Sequence, residues 1–110
     1  MTVEQMANAL NYEIIVGAEV SREMKSVYCC DLLSFVMGSA PADSAWVTVM
    51  GNVNAVAVAL LADVACIVFA QGVNPDQDAI KKAQENGVIL LRSPAPIFDT
   101  ARAIAKAAGL

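Results

Sequence analysis

The sequence predicts an α/β fold, a mainly parallel sheet with flanking helices, and three observations carry that reading. From Trp46 onward, short runs rich in β-branched and aromatic residues alternate with stretches of helical length, the rhythm of βαβ units. Asn74-Pro75 supplies a cap and a first-turn proline, and Gly87 a C-terminal stop, so one helix is punctuated at both ends. The run Ala55 to Ala70 is apolar except for Asp63, as a helix and a strand covered on both sides must be. With 110 residues, 57% of them apolar and 16% charged, the chain is one domain by size and too hydrophobic for disorder. Area scaling gives a folded surface near ~5,800 Å² against ~16,700 Å² unfolded, enough burial for an independent core.

The elements follow in order. Thr2 with Gln5 fits a capping box, and Val3, Met6, Ala7 and Leu10 recur at helical spacing, giving a short first helix that Asn11 ends. Tyr12 to Val16 reads as a strand closed by Gly17, and Ser26 to Cys30 as a second, with the polar segment Ala18 to Lys25 between them. Asp31 to Met37 is expected to be a helix entered through Asp31 as its cap, with Leu32, Leu33 and Val36 inward and Gly38-Ser39-Ala40-Pro41 as its stop. There follow a strand Trp46 to Met50, a helix Asn54 to Leu61, a strand Ala65 to Ala70, a helix Pro75 to Asn86, a strand Val88 to Leu91 and a helix Pro96 to Ala108. Asp78 with Lys82 and Lys81 with Glu85 stand four apart, marking the helix that faces solvent. By contrast Ala55 to Ala62 carries no charge and must be covered on every side, which a monomer of this size can rarely achieve; a homodimer burying its outer face is expected.

Composition narrows the chemistry. A net charge of −4 argues against a nucleic-acid footprint, which needs a basic face. The apolar run is too short and interrupted for a membrane span, although mean hydropathy is +0.55. The chain has no histidine, which removes the commonest general base and zinc ligand, so no metal or cofactor is expected. Three cysteines, an odd count without a signal-like start, are read as reduced thiols in a cytoplasmic protein. Cys29 and Cys30 point to opposite faces of a strand and are expected, with Cys66, to be buried and inert. Trp46 is expected in the core or an interface. Gly38 to Ser44 lacks the second glycine and the lysine of a phosphate loop, and no Gly-x-Gly-x-x-Gly occurs, so kinase and dinucleotide readings lose support.

In a parallel sheet every strand-to-helix turn lies along the strand-carboxyl edge, where ligands bind at helix N-termini. That edge would gather Asp31, Ser34, Asn52, Asn54, Gln71 and Asn74, with Arg92 and Ser93 nearby. Hydrogen-bonding groups of this kind suit a small polar or anionic ligand better than acid–base chemistry. Asp31, Asn54 and Asn74 have a plainer reading as helix caps. Gly51 permits close backbone approach, and Asn52 is free for a ligand if Asn54 does the capping.

Val27-Tyr28-Cys29-Cys30-Asp31-Leu32-Leu33-Ser34-Phe35-Val36-Met37, then Trp46 to Met50, Asn54 to Ala59 and Gly72-Val73-Asn74-Pro75 resemble the DRTGG domain family, and its small stand-alone members in particular. The resemblance runs from about the first helix to the last. It implies an α/β domain like the N-terminal domain of HPr kinase, usually dimeric, with a regulatory or ligand-sensing role. In larger proteins such domains sit beside CBS pairs, in pyrophosphatases and phosphotransacetylases. The Asp-Arg of the family's name would fall near Asn52-Val53 and the Thr-Gly-Gly near Ala70-Gln71-Gly72, where only the last glycine matches. Kinase activity in the longer relative belongs to a phosphate-loop domain that this sequence does not contain.

The expectation is a non-catalytic, homodimeric regulatory domain that binds a small polar or anionic ligand, a nucleotide among the candidates, at the strand-carboxyl edge. The alternatives are a protein-binding adaptor in a fermentative or redox pathway, using the dimer surface or the helix Pro75 to Asn86, and then an enzyme acting on a phosphorylated small molecule.

Overall fold

A computed structural model describes residues Met1–Leu110. Ten elements follow one another: α1 (Val3–Leu10), β1 (Glu13–Val16), β2 (Ser26–Cys29), α2 (Leu33–Ser39), β3 (Ser44–Thr48), α3 (Val53–Ala62), β4 (Cys66–Phe69), α4 (Gln77–Asn86), β5 (Leu90–Arg92) and α5 (Ile97–Ala107). The strands make one sheet in the order β1-β5-β4-β3-β2. The run from β2 to β5 is parallel, and β1 closes one edge antiparallel to β5. The expected α/β architecture is therefore present, with its one antiparallel strand at the end reached first by the chain.

Strand alternation divides the core in two. Trp46, Ile67, Phe69 and Leu90 face one side, where Val36 of α2, the inner residues of α3, and Ala79 and Ala83 of α4 pack on them. Ala45, Val47, Cys66, Val68 and Leu91 face the other, under Val3, Met6 and Ala7 of α1 and Ile104 of α5. β3 and β4 are buried along their whole length, which explains why their sequences run apolar without alternation. Trp46 lies in the core, and its indole N–H donates to the Cys30 carbonyl at 2.9 Å. No helix is long and apolar enough to cross a membrane. The accessible surface is 5,401 Å², close to the area-scaling expectation.

The first helix forms as its sequence dictates. Thr2 Oγ1 accepts the Gln5 N–H at 3.1 Å and Gln5 Oε1 accepts the Thr2 N–H at 2.9 Å, satisfying two donors that the first turn would leave unpaired. Three later helix starts differ from the sequence reading. Asp31 does not cap α2, whose first turn is led by Leu32 without any side-chain cap, because the Asp31 carboxylate is turned towards β3. Asn52, not Asn54, caps α3, its Oδ1 accepting the Ala55 N–H at 2.9 Å. Asn74 and Pro75 lie in the loop before α4, and Asp76 holds the cap position, since the Asp76 N–H is committed to the Gly51 carbonyl at 2.7 Å.

Other boundaries move for tertiary reasons. β3 begins two residues early, at Ser44, where it pairs in register with Ser26 of β2, and it ends at Thr48 because the next N–H, of Val49, bonds to Asp31 instead of a strand. The four-apart pairs of α4 do not close into ion pairs; salt bridges instead join Met1 to Glu23, Arg22 to Asp43 and Asp63, Lys25 to Asp43, and Arg92 to Glu13. Only Ala79 and Ala83 of α4 are buried, so that helix does face solvent. α3 buries Ala55, Val56, Val58 and Ala59, yet within one chain it is not covered on every side: Leu60 and Leu61 lie open to solvent.

Candidate functional site

The carboxyl ends of the parallel strands form a rim whose loops are tied to one another. Asp31, just after β2, accepts the Thr48 hydroxyl at 2.6 Å and the Val49 N–H at 3.1 Å, joining the first loop to the second. Gly51, after β3, packs on the loop after β4 so closely that a Cβ there would lie 2.9 Å from Pro75 Cα. The glycine was expected to admit close backbone approach, and the backbone it admits is that of Pro75. The third loop is tied to the fourth by its main chain: the N–H of Gln71 donates to Ala95 at 2.8 Å and that of Gly72 to Ser93 at 2.8 Å. Gln71 adopts a left-handed φ of 58° to do so, an uncommon state for a residue other than glycine. Behind it, the buried hydroxyls of Ser93 and Thr100 share a 2.8 Å hydrogen bond, and Thr100 also donates to the Ala95 carbonyl.

This edge is also where connections change sides. The helices after β2, β3 and β4 all pack on one face of the sheet, whereas α5, after β5, packs on the other. Loops leaving adjacent strands towards opposite faces open a crevice at the switch. Here that switch lies between β4 and β5, and the Gln71-Gly72 turn bridges it through the two main-chain bonds to Ser93 and Ala95.

The six residues singled out from sequence divide into two groups on this rim. Asp31 and Asn52 are committed to the fold, the first as a bridge between strands and the second as the α3 cap. Ser34, Asn54, Gln71 and Asn74 are exposed, and their side chains make no hydrogen bond within the chain. The roles read for the two asparagines of Gly51-Asn52-Val53-Asn54 are thus exchanged, and Asn54 is the free one. Sequence reasoning missed Thr48, whose partner lies 17 residues away on the neighbouring strand. A hydroxyl at the carboxyl end of an apolar strand was the one available signal.

The opposite, strand-amino edge is held by charge. Arg22 donates twice to Asp43 Oδ1, at 2.8 and 3.1 Å, and to the carbonyl and carboxylate of Asp63 at 2.7 and 3.0 Å. The guanidinium holds the Asp43 carboxyl below its usual range, with Lys25 adding to the effect. A cavity of about 180 Å³ opens beside this clasp, between the ends of α3 and α4. A second hollow lies on α5 beside Asp99, Arg102 and Lys106. Neither is at the carboxyl rim.

Cys66 is buried as expected, and the other two cysteines are not. Cys66 is fully buried, and desolvation pushes its thiol up to about 12, so it stays protonated and inert. Cys29 is exposed and Cys30 half-buried, at the carboxyl end of β2, an edge strand of the sheet. Partial desolvation, with Asp31 and Cys30 nearby, still raises the Cys29 thiol above its ordinary value. No group of three or more metal-ligating side chains comes together.

Comparison with known proteins agrees with this fold. The chain resembles a crystal structure of the CBS and DRTGG domains of the regulatory region of a Clostridium perfringens pyrophosphatase, complexed with its activator diadenosine tetraphosphate. The TM-score is 0.79 at 15% identity, over 96% of this chain and 46% of that one, so the present chain spans about half the length of its structural relative. No curated protein matches in sequence. Residues 5–107 match the DRTGG domain. On that match, which covers nearly the whole sequence and the whole of the sheet, the chain belongs to the DRTGG domain family.

Proposed function

We propose that this regulatory module works as a homodimer and senses a small polar ligand, with nucleotides as the first class to test, at the strand-carboxyl rim. Ser34, Asn54, Gln71 and Asn74 would make the contacts, while Asp31 and Asn52 hold the loops that present them. The observation that carries the reading is the division on the rim: its loops are fixed by bonds of their own, and four polar side chains at their ends are left unused. Exposed amides and a hydroxyl offer both donors and acceptors, the complement of a nucleobase edge or a ribose. The nucleotide activator of the structurally similar pyrophosphatase region supports the choice of ligand class.

A thermal-shift screen of diadenosine tetraphosphate, ATP, ADP, AMP and sugar phosphates tests the proposal. A ligand at a hundred times its Kd adds about 2.7 kcal/mol of stability. The expected result is a shift with one of these compounds that disappears in Asn54→Ala/Asn74→Ala, a double variant whose unliganded Tm is unchanged. If no compound shifts the wild-type Tm, or the double variant responds in full, the proposed site is wrong.

A further inference from the structure

The free side chains of the carboxyl rim are all neutral, and the cation at its strand ends, Arg92, is spent on Glu13 at 2.6 Å. A nucleotide seated there needs its phosphates met elsewhere. Seven lysines and arginines stand in a chain of net charge −4. Arg22 and Lys25 are held by Asp43, and Lys81 and Lys82 share α4 with Asp78 and Glu85. Arg102 and Lys106 remain, exposed and in no ion pair, and they make α5 the one helix of net positive charge. Both line the hollow of about 220 Å³ on α5, together with Asp99 and Ala103.

An aromatic ring stands between this hollow and the rim. Gln71 donates its N–H to the Ala95 carbonyl at 2.8 Å, and α5 starts two residues after Ala95. The first turn of α5 carries Phe98, a residue type ordinarily buried but here 70% exposed. Phe98, Arg102 and Lys106 follow one another at four-residue spacing and so share one face of the helix. A rise of ~1.5 Å per residue sets the two cations roughly 6 and 12 Å beyond the ring. A ring followed by two free cations complements a base followed by a chain of phosphates. Asp99, in the first turn, opposes a phosphate held close to the ring and favours one further along.

We propose that the rim's ligand is a nucleoside di- or triphosphate whose base stacks on Phe98 and whose phosphates lie along α5 on Arg102 and Lys106. The ligand's remaining contacts rest on the function proposed above; the phosphate subsite stands on α5 alone.

Titration calorimetry at constant ionic strength with ATP, AMP and inorganic tripolyphosphate tests it. The wild type should bind ATP about a hundredfold more tightly than AMP, about tenfold for each cation engaged. In Arg102→Gln/Lys106→Gln, ATP should weaken to the level of AMP and tripolyphosphate binding should vanish. Lys81→Gln/Lys82→Gln makes the same change in net charge on α4 and should keep both. Phe98→Ala should weaken ATP and AMP by one common factor and leave tripolyphosphate unchanged. Equal wild-type affinities for ATP and AMP, a preference that survives in the α5 variant, or one lost in the α4 variant would each overturn the subsite; the rim reading then stands if Asn54→Ala/Asn74→Ala still weakens AMP. ATP binding that falls in the α5 variant but not in that rim variant keeps the subsite and removes the rim. If neither ATP nor tripolyphosphate binds, the subsite is wrong whatever the rim binds.

Discussion

The two edges of the sheet are held by different means. At the amino edge Arg22 joins Asp43 and Asp63, and donors and acceptors are spent on one another. At the carboxyl edge one carboxylate, one cap and a few main-chain bonds fix the loops, while four polar side chains remain unspent. The amino edge has the cavity beside its clasp and the carboxyl edge has the free groups. The arginine beside the hollow is already bonded to two aspartates and serves stability, whereas polar groups on a fixed rim that make no bond within the chain have something left to bind.

The comparison can be broken by substitution, and the largest effect is expected at Arg22. Arg22→Ala removes four hydrogen bonds between charged or polar groups and should lower the denaturant midpoint more than any substitution below. Part of that loss depends on pH. Because the native Asp43 carboxyl titrates below its unfolded value, near ~3.9, its contribution is full above that pH and vanishes as pH falls through the lowered native value. The gap in Tm between wild type and Arg22→Ala should therefore narrow below about pH 4. A gap of constant width would deny the clasp its electrostatic part.

Next in size is Gly51→Ala. A methyl group 2.9 Å from Pro75 Cα forces backbone to move, at a cost of about 1–3 kcal/mol. Unlike Arg22→Ala, this change should also disturb the amide NMR signals of Asn74 and Asp76. Asn52→Ala should cost about 1 kcal/mol through the lost cap, whereas Asn54→Ala should lie within about 0.5 kcal/mol of wild type. Equal losses for the two asparagines would undo the division of the rim into structural and free residues. The smallest effect is chemical rather than energetic. Under native conditions a maleimide should label Cys29 and spare Cys66, more slowly than it labels a free thiol because burial and Asp31 hold back the Cys29 thiolate.

How far the sequence could be read follows the range of the interactions involved. α1 was legible in full because its signal, Thr2 with Gln5, is local and both partners of the capping box are three residues apart. The parallel sheet was legible because buried strands such as Cys66–Phe69 must be apolar throughout. The starts of α2 and α4 were not, since each depends on a distant partner: Thr48 draws Asp31 away from its helix, and Gly51 holds Asp76. The α3 cap is local, but two asparagines two residues apart both fit it, and Asn52 holds it. That the strand-to-helix turns share one edge followed from topology. Asp31 was drawn off by a long-range bond to Thr48, whereas Asn52 and Asn54 were exchanged over a cap only three residues long.

Several of the ties that set the rim are main chain to main chain: Asp76 to Gly51, Gln71 to Ala95 and Gly72 to Ser93. Every residue type other than proline at the donor can make such a bond. The side chains along these loops can consequently drift over evolutionary time while the loops keep their places. A TM-score of 0.79 shared with a pyrophosphatase regulatory region at 15% identity is the kind of divergence that this architecture tolerates.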